Sequence, residues 1–160
     1  MADGISFRSV DKPRGIFPAR IDDKGRMKLP VDIHRYLTQI GADTVFVTSF
    51  DEQVGRIYPI PIWKEVEAMF RDSGEDSEAA EGLAFTANNL GADSDVDSQG
   101  RLLMPAKLRK ALDLENQTVH LQHFKEHIRI YSEPVYLEMQ QRSREDRAEK
   151  LKTFERKGLL

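Results

Sequence analysis

The chain contains no cysteine. That excludes a disulfide framework, a thiolate metal site and a cysteine nucleophile, and it fits a reducing compartment. No run approaches the roughly 18 uninterrupted apolar residues of a membrane-spanning helix. The first fifteen residues, MADGISFRSVDKPRG, lack an apolar centre, so no secretory signal is expected. There is no Gly-x-Ser-x-Gly, no phosphate-cradling glycine loop and no nucleophile with a base in view. Nor does one charge sign dominate, since 24 Lys+Arg face 27 Asp+Glu for a net charge of -3. A slightly acidic total argues against a wholly basic nucleic-acid binder, but it hides where the charges lie. Hydrophobic residues, at 39% of 160, suffice for one compact domain or two very small ones.

The charges are segregated. Residues 1–35 hold eight bases against five acids, whereas residues 72–97 hold eight acids and no base. A basic head and an acidic waist allow a local cationic patch despite the negative sum. Residues 71–78, RDSGEDSE, have no apolar anchor and read as a solvated connector.

The chain also repeats itself. Asp22-Asp-Lys-Gly25-Arg26-Met-Lys-Leu-Pro30 recurs as Asp97-Ser-Gln-Gly100-Arg101-Leu-Leu-Met-Pro105, displaced by 75 residues. Thr44–Phe50 answers Thr118–Phe124, and Arg56-Ile57-Tyr58 answers Arg129-Ile130-Tyr131. Three matches in order indicate a duplication of about fifty residues.

Each copy reads as strand, turn, strand, short helix, strand, strand. In the first, an extended segment at Ile16–Ile21 turns at Asp22–Gly25 and continues through Arg26–Leu29. Asp opening such a turn bonds backbone amides, and Gly closing it tolerates positive φ. Pro30 and Pro105 stand where a helix starts. Ile33, Tyr36, Leu37 and Ile40 follow at helical spacing, with Leu108, Ala111 and Leu112 in the second copy. Strands are expected at Val45–Thr48, Arg56–Tyr58, Val119–Gln122 and Ile128–Tyr131. Further helices are expected at Pro61–Phe70, from Ser77 to about Ala87, and from about Pro134 to Lys157 with Ser132 as N-cap. A half this small buries little alone, so the two are expected to share a β-barrel-like core with pseudo-twofold symmetry. The fold class is α+β.

Side chains alternate along a strand. Ile21, Met27 and Leu29 therefore face a core, and Arg20, Lys24, Arg26 and Lys28 form a cationic patch on one hairpin. A two-stranded ribbon fits the DNA major groove, where Arg bonds both guanine acceptors. Alternatively Arg26 only pairs with Asp22, and Arg101 with Asp97, as exposed and individually weak ion pairs. The second copy has Ser98-Gln99 at its tip and Leu103 in place of Lys28, with Asp93, Asp95 and Asp97 nearby. The first turn is therefore expected to meet phosphate, and the second to hold the fold or touch a neighbouring subunit.

The repeated Asp-x-x-Gly-Arg-x-x-x-Pro turn, Arg14-Gly15 ahead of it and Tyr58-Pro-x-x-x-Trp63 after it resemble the MraZ family, in the AbrB-like, swapped-hairpin superfamily. The resemblance covers roughly residues 14–137. It implies a cytoplasmic, nucleoid-associated transcriptional regulator, usually a repressor, that assembles as a ring-shaped homo-oligomer. It also implies binding of double-stranded DNA at short G-rich direct repeats before the division and cell-wall gene cluster. The family's Asp-x-x-x-Arg signature maps to Asp22 with Arg26 and to Asp97 with Arg101, enclosing Gly25 and Gly100; Arg14 joins the DNA-binding set. Where the family carries Arg four residues after the motif's Pro, this chain has His34 in the first copy and Arg109 in the second. The expected organisation is an N-terminal flexible arm (1–13), one AbrB-like repeat (14–61), connecting helices with an acidic linker (62–89), a second repeat (90–133) and a C-terminal helix (134–158).

Three rival readings are weaker. His120-x-x-His123-x-x-x-His127 suggests a metal, but only His123 and His127 could meet across a turn, and zinc takes more ligands. A hydrolase would need a carboxylate kept protonated, whereas Asp22 and Asp23 lie beside Lys24 and Arg26. An antitoxin-like or scaffold protein would keep the fold without operator binding. No enzymatic activity, cofactor, metal, small-molecule substrate or membrane partner is expected.

Overall fold

The structure is a computed structural model and describes residues 7–160. Eight strands account for the alternating segments: β1 (Ile16–Arg20), β2 (Arg26–Lys28), β3 (Thr44–Thr48), β4 (Gly55–Pro59), β5 (Ala92–Asp95), β6 (Arg101–Leu103), β7 (Thr118–Phe124) and β8 (His127–Ser132). Six of them form one antiparallel sheet in the order β1-β7-β8-β4-β3-β5, and β2 pairs with β6 in a separate two-stranded ribbon. The expected barrel does not close. After each turn the second strand leaves its own half to pair with the other half, so β1 and β5 remain as open edges. The two arms of the first turn form no ladder with each other among the described residues beyond the single bridge Ile21↔Met27 and the bonds between Asp22 and Arg26.

Both short helices open behind a proline that lies one position ahead of the first helical residue, at φ -54 for Pro30 and φ -56 for Pro105. Helix α1 (Val31–Gln39) buries Ile33, Tyr36 and Leu37, and α4 (Ala106–Leu112) buries Leu108 and Leu112. Ala111, expected on the buried stripe, is exposed because the shorter α4 turns only two residues to the core. These side chains meet Val45, Val47, Ile57, Val119, Leu121, Ile128 and Ile130 from one face of the sheet, with Met27 and Leu102 from the ribbon. Truncating Ile33 or Leu108 to Ala is expected to cost about 2–5 kcal/mol, as for other fully buried aliphatics.

Because side chains alternate, the opposite sheet face needs its own cover. Helix α2 (Ile60–Arg71) packs Ile62 and Trp63 onto Phe46 and Tyr58, joined by Ala87 of α3 (Ser77–Leu90). Trp63 stacks on Phe46 at 4.4 Å between centroids. Residues 71–78, read as a connector from composition, contain the end of α2, a 3-10 turn at Gly74–Asp76 and the start of α3. Of the expected N-terminal arm, Phe7–Ser9 form a 3-10 turn, Val10 packs against the main core and Arg8 pairs with Glu65 of α2 at 2.6 Å. Residues 1–6 of that arm lie outside the described residues.

The C-terminal helix is two helices, α5 (Glu133–Arg144) and α6 (Arg147–Glu155). The break falls at Glu145, which is extended, and Asp146, whose φ is +52. Ser132 caps α5 by accepting the Val135 N–H at 3.4 Å. Tyr136 anchors α5 by stacking on His120 at 3.7 Å, but Leu151 and Phe154 remain about half exposed. Among the described residues, no helix is long and apolar enough to cross a membrane.

Candidate nucleic-acid interface

The Asp-x-x-Gly-Arg pattern folds by serving its own backbone. Asp22 Oδ1 accepts the N–H of Lys24 at 2.9 Å and of Arg26 at 2.8 Å. Its carbonyl accepts the Gly25 N–H at 3.0 Å. Gly25 closes the turn at φ +82, a conformation that disfavours any Cβ. The second turn repeats this construction: Asp97 Oδ1 accepts from Gln99 and Arg101, both at 2.9 Å, and Gly100 sits at φ +80. In each turn the amide of the arginine is the main reason that the aspartate pKa lies below its ordinary value. Both carboxylates therefore stay ionised at neutral pH.

Beyond the turns the chain crosses over. Arg26 lies opposite Leu103, Met27 opposite Leu102 and Lys28 opposite Arg101. Two further bonds clamp the ends of the ribbon, Met104 N–H to Gly25 C=O at 2.9 Å and Leu29 N–H to Gly100 C=O at 2.8 Å. The expected hairpin of one half is thus corrected: the ribbon is made of one strand from each half, with the two turns at its opposite ends. Alternation buries Met27 and Leu102 and turns Arg26, Lys28, Arg101 and Leu103 outward. The register sets Lys28 directly opposite Arg101, and Asp97 at 3.7 Å balances the Arg101 charge.

The predicted residues separate into those on this face and those off it. Arg26 donates Nε to Asp22 Oδ2 at 3.0 Å, yet its side chain is 54% exposed and neither Nη is engaged among the described residues. Lys24 at the tip and Lys28 on the strand are exposed, and neither side chain has a partner among the described residues. Arg101 is held more loosely, its Nε 3.7 Å from Asp97 while Nη2 bonds the Gln99 side chain. Arg20 is turned away, donating Nη2 to the Asn116 carbonyl at 3.2 Å and to Asn116 Oδ1 at 2.7 Å. Arg14 lies before β1, 3.5 Å from Asp11, in a cleft against α1 with Asp32, Arg35 and Tyr36. The structure therefore sets Arg26 and Lys28 on the outward face of the ribbon with Lys24 in the adjoining turn, leaves Arg14 and Arg20 elsewhere, and adds Arg101 to that face. Nothing in the spacing marks that last addition, because it depends on which half β2 pairs with.

Comparison with known proteins agrees with the motif. The family model described as "MraZ protein, putative antitoxin-like" matches residues 91–156. A "Transcriptional regulator MraZ" from Acidobacterium capsulatum is 34% identical over 106 residues, covering 66% of this chain and 73% of the relative. The protein of the same name from Koribacter versatilis is also 34% identical, covering 65% of this chain and 71% of its own. One from Geobacter sulfurreducens is 33% identical over 113 residues, with 64% and 72% covered. The chain belongs to the MraZ family. Its MraZ-like Tyr58-Pro-x-x-x-Trp63 segment proves structural, with Tyr58 and Trp63 packed at 5.1 Å in the second core.

The histidine cluster of this MraZ-family chain does not converge. Phe124 pairs with His127 and His123 with Ile128 across the β7–β8 turn, so His123 and His127 project from opposite sheet faces. His127 stacks on Tyr58 at 4.9 Å and His123 meets the Tyr36 ring edge-on at 5.1 Å. The meeting across the turn that their spacing allowed does not occur. Among the described residues no group of three His, Asp or Glu is arranged to hold a metal ion.

Proposed function

We propose that this MraZ-family protein is a sequence-specific DNA-binding transcriptional regulator whose reading element is the β2–β6 ribbon. The observation that carries the reading is the outward face of that ribbon: its four positions hold Arg26, Lys28, Arg101 and Leu103, three cations and no acid. Arg26 is the base-reading residue, with both Nη groups free for the two acceptors of a guanine edge. Lys24, Lys28 and Arg101 neutralise phosphates and set register. The names of the relatives, each a transcriptional regulator, support this assignment.

One short ribbon gives weak binding. Ring-shaped self-assembly presenting several ribbons to short G-rich direct repeats would raise avidity without new contacts. We take the protein to act as a repressor by occupancy before a division and cell-wall gene cluster, in the cytoplasm and at the nucleoid. Pseudo-twofold symmetry within each chain, supported by a strand order that reads alike from either end when each strand is exchanged for its counterpart, would let both turns approach one groove.

The test is a gel shift with DNA from upstream of the protein's own gene, with and without non-specific competitor. Competitor-resistant retardation is expected; none would favour a scaffold role or the antitoxin-like role that the family description names. Incubation with an ester and phosphate substrate panel is expected to show no turnover.

A further inference from the structure

The cationic turn is not held by its own half. Residues 34 and 109 occupy equivalent places in the duplication, four after Pro30 and Pro105. Each reaches across to the turn of the other copy. A Cβ built on Gly25 would fall 1.8 Å from Arg109 Nη1 and 2.2 Å from its Cζ, so the guanidinium lies flat against that glycine. On Gly100 the corresponding atom would fall 2.8 Å from His34 Nδ1.

The two seats differ in what they tie together. Arg109 donates Nη1 to the Met104 carbonyl and Nε to Glu115 Oε1 at 3.0 Å. Met104 in turn donates its N–H to the Gly25 carbonyl at 2.9 Å. One guanidinium thus covers the first turn, fixes the strand that clamps it and has its charge balanced by Glu115. Only 14% of the Arg109 side chain is exposed, and its Nε and Nη1 are already bonded within the protein. An imidazole over Gly100 has neither the fork nor the reach for such a lock.

We infer that Arg109 is a positioning residue for DNA reading: it seats the turn that aims Arg26 and touches no DNA itself. The inference rests on the ribbon being the DNA-binding element, yet part of its test needs no DNA.

The experiment compares wild type with Arg109→Lys and Arg109→Met. Two quantities are measured, operator affinity across a salt series and amide hydrogen exchange at Met104 and Lys24. Both variants are expected to lose at least tenfold in affinity while log Kd against log salt keeps its slope, because no phosphate contact is removed. Exchange at Met104 should speed up at least tenfold in both. Lysine keeps the charge but not the fork, so rescue by Arg109→Lys would overturn the inference. A slope flattened by about one, which is the mark of a lost phosphate contact, would overturn it too, as would unchanged affinity. Should both variants fail to fold, His34→Arg supplies the decision. Installing the same seat over Gly100 is expected to slow exchange at Leu29 several-fold, and no slowing would refute the seat. A wild-type protein that ignores DNA while Arg109→Lys still frees Met104 would sink the proposed function and leave the seat standing.

Discussion

The two turns of this chain share one construction and differ in what is mounted on it. Both use an aspartate to collect two backbone amides, and both close on a glycine near φ +80. The Asp, Gly and Arg of the motif are the same in both. The side chains that the turn's own backbone bonds do not use diverge: Lys24 against Gln99 at the tip, Lys28 against Leu103 on the strand, Arg109 against His34 overhead. A duplicated motif conserves what the backbone demands, and function is written on the remaining surface. The second turn nevertheless lends Arg101 to the ribbon, so the division of labour is unequal, not absolute.

The largest expected effect breaks the comparison outright. Arg26→Ala should cost about 1–3 kcal/mol of specific binding per ribbon, about five- to 150-fold, with self-assembly intact by sizing. Arg101→Ala should cost less, since its Nη2 is already engaged by Gln99. The opposite order in a gel shift would mean that the second turn is the reader.

Stability should show the same inequality. A left-handed backbone costs a residue with a Cβ about 1–2 kcal/mol at either glycine. Gly25→Ala must also drive Arg109 off Met104 and Glu115, whereas Gly100→Ala displaces only an imidazole. Thermal unfolding should therefore fall further for Gly25→Ala; equal losses would show that Arg109 contributes nothing to the turn.

Much of this was legible beforehand. The 75-residue offset exposed both turns, and alternation placed Met27 inward with Arg26 and Lys28 outward, as observed. What escaped was pairing between halves. Either arm of a turn presents the same alternation to a strand of its own half or of the other, so periodicity alone could not reveal that Lys28 would face Arg101. The same blindness favoured a closed barrel over an open sheet. The split of the C-terminal helix at Asp146 escaped because a polar stretch carries no apolar period to interrupt.

A smaller effect sharpens the electrostatic half of the comparison. Lys24→Ala and Lys28→Ala should each weaken binding to every DNA sequence alike and flatten the salt slope by about one. Gln99→Ala, at the place equivalent to Lys24, should leave the slope as it is. A wild-type slope in the lysine variants would mean that those side chains meet no phosphate.

The smallest effect separates the turns from the rest of the protein by pH. The folded pKa of Asp22 and of Asp97 lies below the ordinary carboxylate value. Their contribution is therefore fully present above about pH 4 and is lost as pH falls through the folded pKa. His127 titrates elsewhere: burial, and then the charge of Arg56, push it down to about 3. Because the unfolded chain takes up that proton first, stability should decline from about pH 6.5 downwards. His123, also lowered by burial, adds in the same direction. His127→Phe keeps the ring against Tyr58 and should flatten the decline between pH 6.5 and 4 in chemical denaturation. Asp22→Asn and Asp97→Asn should lower stability by an amount that is constant above about pH 4 and shrinks below it, so that only the slope below pH 4 differs from wild type. A change of slope near pH 6 in either Asn variant would show that the turns are coupled to the histidines.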